Sequence, residues 1–246
     1  LEPDTFLLTV STSGYQDTTT AVTVFSRKTS PIEIRLNGLP VIQSTLVTSA
    51  KITTREANTP RFFLEVFSEV TDQDGANDIK MVEVTISARS FVDTLTRVAG
   101  VERWQRLFLP EELSLLDFSQ LVGSPFRIVA RDFPGVAIMS EPFFLARIIS
   151  EVPQAFSPTD GAVASDAPLF RWQLPQIAFS FTQRIEVFRL DAGFPALVTA
   201  ISNIKPDIRS LPYIGRLSAG TYFWTIKIID DFGNSSRSKE ATFQVQ

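Results

Sequence analysis

The chain contains no cysteine and no histidine. Without cysteine it has no disulfide, no thiol nucleophile and no thiolate metal site. Without histidine it lacks the commonest general base and the commonest transition-metal ligand. Glycine is scarce, at 11 of 246 residues, and no phosphate-cradling glycine loop occurs. Serine and threonine are plentiful, but there is no Gly-x-Ser-x-Gly and no histidine to activate one. No run of about 18 apolar residues exists, so no helical membrane span is expected. Formal net charge is −4 and the nearest basic groupings are Arg27-Lys28 and the spaced Arg97, Arg103 and Arg106. None has the density of a nucleic-acid or anionic-membrane patch. An enzyme within these residues is therefore not expected, nor any cofactor.

What is present is strand-forming. Hydrophobic residues make up 44% of the chain, with 21 phenylalanines, and the 15 prolines fall mostly between apolar runs. The chain also repeats itself. At an offset of 98, Phe126 falls on Trp224, Ile128 on Ile226, Ala130 on Ile228, Asp132 on Asp230, Gly135 on Gly233 and Ser140 on Ser238. That is a strand, a turn and the start of a return strand, written twice. Upstream, Phe62, Leu64 and Val66 match Phe170, Trp172 and Leu174, and Val82-Glu83-Val84 matches Ile185-Glu186-Val187. A spacing near 100 residues is the size of one β-sandwich. The fold class follows: all-β, tandem antiparallel sandwiches behind a small N-terminal β segment.

The expected organisation is a partial sandwich segment over 1–44, a divergent sandwich over 45–150 and a second sandwich over 151–246. In the first segment, strands are expected at Phe6–Val10, Thr20–Phe25 and Ile32–Leu36; the last alternates with period 2. An insert near 97–122 holds Trp104 and then Pro110-Glu-Glu, which predicts one or two turns of helix. Leu1-Glu2-Pro3-Asp4 reads as an interior starting point, so an export signal or a lipid-anchor cysteine would lie upstream.

Two family resemblances can be stated. Val10-Ser-Thr-Ser-Gly14-Tyr15 with the strands around it resembles the second half of a carboxypeptidase-regulatory-like domain. Ser157-Pro158-x-Asp160-Gly161, Pro168-x-Phe170-x-Trp172, Gly220-Thr-Tyr222-Phe-Trp224 and Asp230-x-x-Gly233-Asn234 resemble bacterial fibronectin type III-like domains. Residues 45–150 resemble a more divergent relative, with Phe126 in the place of Trp224. The second resemblance implies that Trp172 is a core residue and that Tyr222 ties its hydroxyl back to nearby backbone. It implies spacing, adhesion or presentation as the role, on an extracytoplasmic bacterial surface protein or lipoprotein, with a protein or cell-surface component as partner. Alternatives are a carbohydrate-binding accessory module and the accessory domains of a larger exported enzyme.

Three polar or aromatic groupings are candidate sites. Asp72, Asp74 and Asp78 lie in Asp72-Gln-Asp74-Gly75-Ala-Asn77-Asp78, where oxygen ligands suit Ca²⁺. An EF-hand fails, because the sixth position is Asn77 rather than glycine. A looser Ca²⁺ site remains one reading; a hairpin loop turning at Asp74-Gly75 is the other. Asp230-Asp231 and Arg131-Asp132 sit at the equivalent last hairpin of each unit. Two adjacent acids could serve a glycosidase, but neighbouring strand residues point to opposite faces and cannot flank one bond, so they read as turns with solvated acids. Trp104 and Tyr213 are candidate sugar-stacking rings, although Leu107, Leu109, Leu115 and Leu116 point to a satellite core around Trp104, Phe108 and Phe118.

Overall fold

The computed structural model describes residues 4–29, 31–55 and 59–246, and its regular secondary structure is almost entirely strand. The reading of Leu1-Glu2-Pro3 lies outside the described residues. In chain order the strands are β1 (Asp4–Val10), β2 (Thr18–Val24), β3 (Val41–Ile52), β4 (Arg61–Thr71), β5 (Ile79–Ile86), β6 (Phe91–Thr94), β7 (Thr96–Arg97), β8 (Arg103–Phe108), β9 (Pro125–Asp132) and β10 (Ala137–Met139). They continue with β11 (Phe143–Phe144), β12 (Gln154–Ser157), β13 (Ala162–Ala164), β14 (Leu169–Gln173), β15 (Phe181–Asp191), β16 (Phe194–Ile204), β17 (Ser210–Pro212), β18 (Gly220–Asp230), β19 (Ser235–Arg237) and β20 (Ala241–Val245). The expected all-β class is the observed one.

Residues group into two compact units, one of 1–46, 66–106 and 125–143, the other of 47–65, 107–124 and 144–246. In the first unit, β5 lies between β9 and β6, and β10 pairs with the far side of β9, all antiparallel. Val82, Val84 and Ile86 alternate inward from β5, as Phe126, Ile128 and Ala130 do from β9. Period-2 patterning with one buried face is what fixes that register. The hairpin β1–β2 stands as a separate two-stranded sheet.

The second unit is a two-sheet sandwich. One sheet runs β12-β14-β17. In the other, β18 pairs with β15 along one side, while β20 and then β19 share its other side. Phe170, Trp172, Ile185, Val187, Trp224, Ile226 and Phe243 fill the space between. The Trp172 indole N–H donates to Gln183 Oε1, and Gln183 Nε2 donates to the carbonyls of Lys205 and Ile208. A buried amide thus has its polar atoms paired, as burial demands. Tyr222 is buried and its hydroxyl donates to the Ser218 carbonyl at 2.8 Å, the tie that the resemblance implies.

Several expectations need correction. Ile32–Leu36 forms no strand; Ile32 is exposed, and the alternating pattern has no ladder to join. The insert contains a strand, β8, with Trp104 on it. Its helical part shrinks to two 3₁₀ turns, Pro110–Leu113 and Ser119–Leu121. Proline does open the first of these, and Glu112 accepts the Leu109 N–H at 2.6 Å as an N-terminal cap. Phe108, Phe118 and Leu115 are buried, but Leu116 is 96% exposed and Leu107 is exposed too, so neither belongs to a core. Asp132 and Asp230 are buried rather than solvated.

Candidate functional site

Asp72–Asp78 links β4 to β5 within the first unit. These strands do not pair with each other: the neighbours of β5 are β9 and β6. The loop is therefore a corner and not the hairpin expected from Asp74-Gly75. Two successive turns shape it, with Gly75 N donating to Asp72 O at 3.1 Å and Asp78 N donating to Gly75 O at 2.9 Å. Asp72 Oδ1 accepts the Asp74 N–H at 2.9 Å, a local side-chain turn. Gly38 comes so close that an added Cβ would lie 3.0 Å from Asp72 Oδ1, and its N–H donates to Asp74 Oδ2 at 2.6 Å.

Strand pairing delivers a further acid. Asp132 ends β9 opposite Ile79, and Phe133 N donates to Asp78 O at 2.9 Å. Single carboxylate oxygens of Asp72, Asp78 and Asp132 all lie within 4.8 Å of one another. Asp74 is not part of this trio. Asp132 is fully buried; its Oδ1 accepts from Gly135 N at 2.7 Å and Val136 N at 2.6 Å, and its Oδ2 accepts from Asn37 Nδ2 at 2.7 Å. Asp72 Oδ2 and Asp78 Oδ2, by contrast, are buried atoms with no hydrogen-bond partner. Burial is the main force pushing both carboxyls above the ordinary carboxylate pKa. Charges nearby push the same way: Asp78, Asp74 and Asp132 act on Asp72, and Asp132 and Asp74 on Asp78. Three converging oxygens with two unpaired are a donor set for a hard divalent cation. Asp132 is more than 50 residues from Asp78, and only the β5–β9 register brings it in, so the local motif could not show it.

The second unit treats its equivalent acid differently. Asp230 Oδ1 accepts from Phe232 N at 2.9 Å and Asn234 N at 2.8 Å; the bond from Asn234 N has its counterpart in the one from Val136 N to Asp132 Oδ1. Its Oδ2 meets Asn234 Nδ2 at 3.1 Å and Arg147 Nε at 3.3 Å. The Arg147 guanidinium stacks over the rings of Phe179 and Phe232. Asn234 Oδ1 in turn accepts from the N–H and hydroxyl of Ser49, at 2.9 and 3.1 Å. Here a side-chain cation faces the buried acid; in the first unit two more acids do.

The aromatic candidates fare otherwise. Trp104 is buried, which takes its ring out of reach of a sugar. Tyr213 is half-buried against the core of the second unit. Trp172 and Trp224 are core residues.

No protein-family model matches the chain, and no curated protein does. Solved structures do resemble it. One is the set of fibronectin(III)-like modules of Clostridium thermocellum CbhA, at 12% identity and a TM-score of 0.37, covering 84% of this chain and 93% of that one. Another is the FN1–FN3 region of chicken CNTN1, at 11% identity and 0.29, covering 85% and 65%. A third is dimeric latent PorU from Porphyromonas gingivalis, at 15% identity and 0.30, covering 92% of this chain and 22% of PorU. The first two of these resemblances are to fibronectin III-like modules; the all-β class of this chain rests on the strands described above.

Proposed function

We propose that the chain is a non-enzymatic, extracytoplasmic spacer or interaction module of a bacterial surface protein. The observation that carries this reading is how the two repeated acids are used. Asp132 and Asp230 are buried and engage both of their oxygens in holding polypeptide in place. Carboxylates committed in this way serve rigidity and not acid–base chemistry, which needs a group facing substrate. The carbohydrate alternative has weaker support. Trp104 is buried, and the hollow of about 600 Å³ lined by Lys51, Arg55, Asp160 and Lys239 has no aromatic ring among its described lining residues. Thermal unfolding in the presence of a polysaccharide panel tests the reading. A module of this kind melts at the same temperature throughout; a saturable rise with one glycan replaces it with an accessory binding module.

A second reading concerns the acid corner, and it is favoured by the two buried, unpartnered oxygens of Asp72 and Asp78. They, with Asp132, hold Ca²⁺, and the ion braces the corner. Mg²⁺ serves less well because it demands a tighter octahedron. Titration with CaCl₂ raises the melting temperature, and Asp78→Asn abolishes the rise. An unchanged melting temperature at millimolar Ca²⁺ rejects this site and leaves the first reading in place.

A further inference from the structure

The hairpin β1–β2 has one mainly apolar face, and much of it is exposed: Phe6, Leu8 and Val24 are open, while Val10 and Val22 are half-buried. The register Asp4↔Val24, Phe6↔Val22, Leu8↔Thr20 and Val10↔Thr18 puts Phe6, Leu8, Val10, Val22 and Val24 on the same side, with Asp4 at one end and Thr18 and Thr20 toward the turn. The other side is threonine-rich: the hydroxyls of Thr5 and Thr23 meet at 3.3 Å and those of Thr9 and Thr19 at 2.9 Å, around Leu7 and Ala21. That side suits water. The apolar side is open to it, with Phe6 54%, Leu8 41% and Val24 49% exposed. Among the described residues the two strands ladder only with each other. A lone two-stranded ribbon is marginal in water, and a contiguous exposed apolar face marks an interaction surface.

We propose that two copies of this chain close their β1–β2 sheets face to face, making a small four-stranded sandwich. The face is self-complementary, as a two-fold interface requires. Its charges select the orientation. Asp4 begins β1, and Arg27 and Lys28 follow β2, so all three sit at one end of the hairpin. A two-fold axis parallel to the strands, midway between sheets about 10 Å apart, sets β1 over the partner's β2 with like ends together. Phe6 then faces the partner's Val22, and Asp4 lies against the partner's Arg27 and the partner's Lys28. Symmetry makes each contact twice. An axis perpendicular to the strands would instead bring this charged end over the partner's turn, where Arg27 and Lys28 meet the partner's Asp17 but Asp4 meets no cation.

Sedimentation equilibrium on the purified chain tests this between about 10 and about 500 µM, where a small interface associates. The mass rises from 27.4 kDa toward twice that value. Leu8→Lys weakens association at least about tenfold, or about 1.4 kcal/mol, whereas Leu7→Lys, one residue away on the threonine side, leaves it intact. Asp4→Lys weakens association, and adding Arg27→Asp and Lys28→Asp to it restores the dimer. A chain that stays monomeric throughout overturns the proposal. So does a dimer that Leu8→Lys and Leu7→Lys affect alike, because another surface is then the one in contact.

Discussion

Ser140 and Ser238 stand 98 residues apart and make the same three hydrogen bonds. Each donates its N–H to an isoleucine carbonyl, Ile128 at 2.8 Å and Ile226 at 2.9 Å. Each hydroxyl accepts the N–H of that same isoleucine, at 2.9 and 3.1 Å. Each hydroxyl then donates to the next residue's carbonyl, Glu141 or Lys239, at 2.8 Å. In the second unit the return strand breaks here into β19 and β20, and the hydroxyl takes up a ladder donor that the break leaves over.

Removing that hydroxyl strands an isoleucine N–H. Ser238 is buried, so Ser238→Ala is expected to cost about 2 kcal/mol. Ser140 is only half-buried and water can stand in, so Ser140→Ala is expected to cost about 1 kcal/mol or less. Denaturant midpoints of the two variants measure the order; equal losses would show that burial does not set it.

Tyr222→Phe deletes only the hydroxyl that donates to Ser218 O. Because the ring is buried and its packing is kept, the loss should be about 1–2 kcal/mol, from one carbonyl left unpaired. A variant as stable as the parent in urea unfolding would mean that this tie contributes nothing.

Arg147 holds a carboxylate whose side chain is 1% exposed. Arg147→Ala leaves that charge short of its cation and is expected to cost about 2–3 kcal/mol, a little below the range for a fully buried pair. Arg147→Lys should recover less than half, since an ammonium lacks the planar guanidinium that contacts the rings of Phe179 and Phe232. Melting temperatures of the two variants separate charge from stacking.

The acid corner gives a pH signature. Asp72 and Asp78 have folded pKa values above the ordinary ones, so the folded state takes up their protons more readily. Their charged forms therefore cost stability at neutral pH, and the cost fades as pH falls through the raised values toward about 3.9. In chelator, Asp78→Asn should be more stable than the parent at pH 7, with the gap closing near about pH 4. A variant less stable than the parent at pH 7 under those conditions would contradict this account of the corner.

The strands legible in the sequence were those with clean alternation and a ladder partner. Val82 and Val84, and Ile185 and Val187, announce buried faces and have them. β3 gave little signal because one of its inward residues is Ser49, tolerated there since Asn234 Oδ1 accepts its N–H and the hydroxyl has both Asn234 Oδ1 and the Arg147 carbonyl as acceptors. Ile32–Leu36 failed in the opposite sense: alternation describes a strand's faces and says nothing about its edges. Pro110-Glu-Glu drew attention to a helix, yet the turn is 3₁₀ and the larger feature nearby is strand β8. Of the acid corner, Asp72 and Asp78 were visible as a cluster; Asp132 was visible only as half of a repeat.

The turns at Asp132 and Asp230 each close on atoms no more than four residues away. Such contacts ask for almost no loop-closure entropy. A refolding or emerging chain is therefore expected to set these two corners before their distant neighbours arrive, each fixing the phase of the strands it joins. Asp230→Ala should then slow folding through the lost turn contacts, while loss of its distant Arg147 contact speeds unfolding.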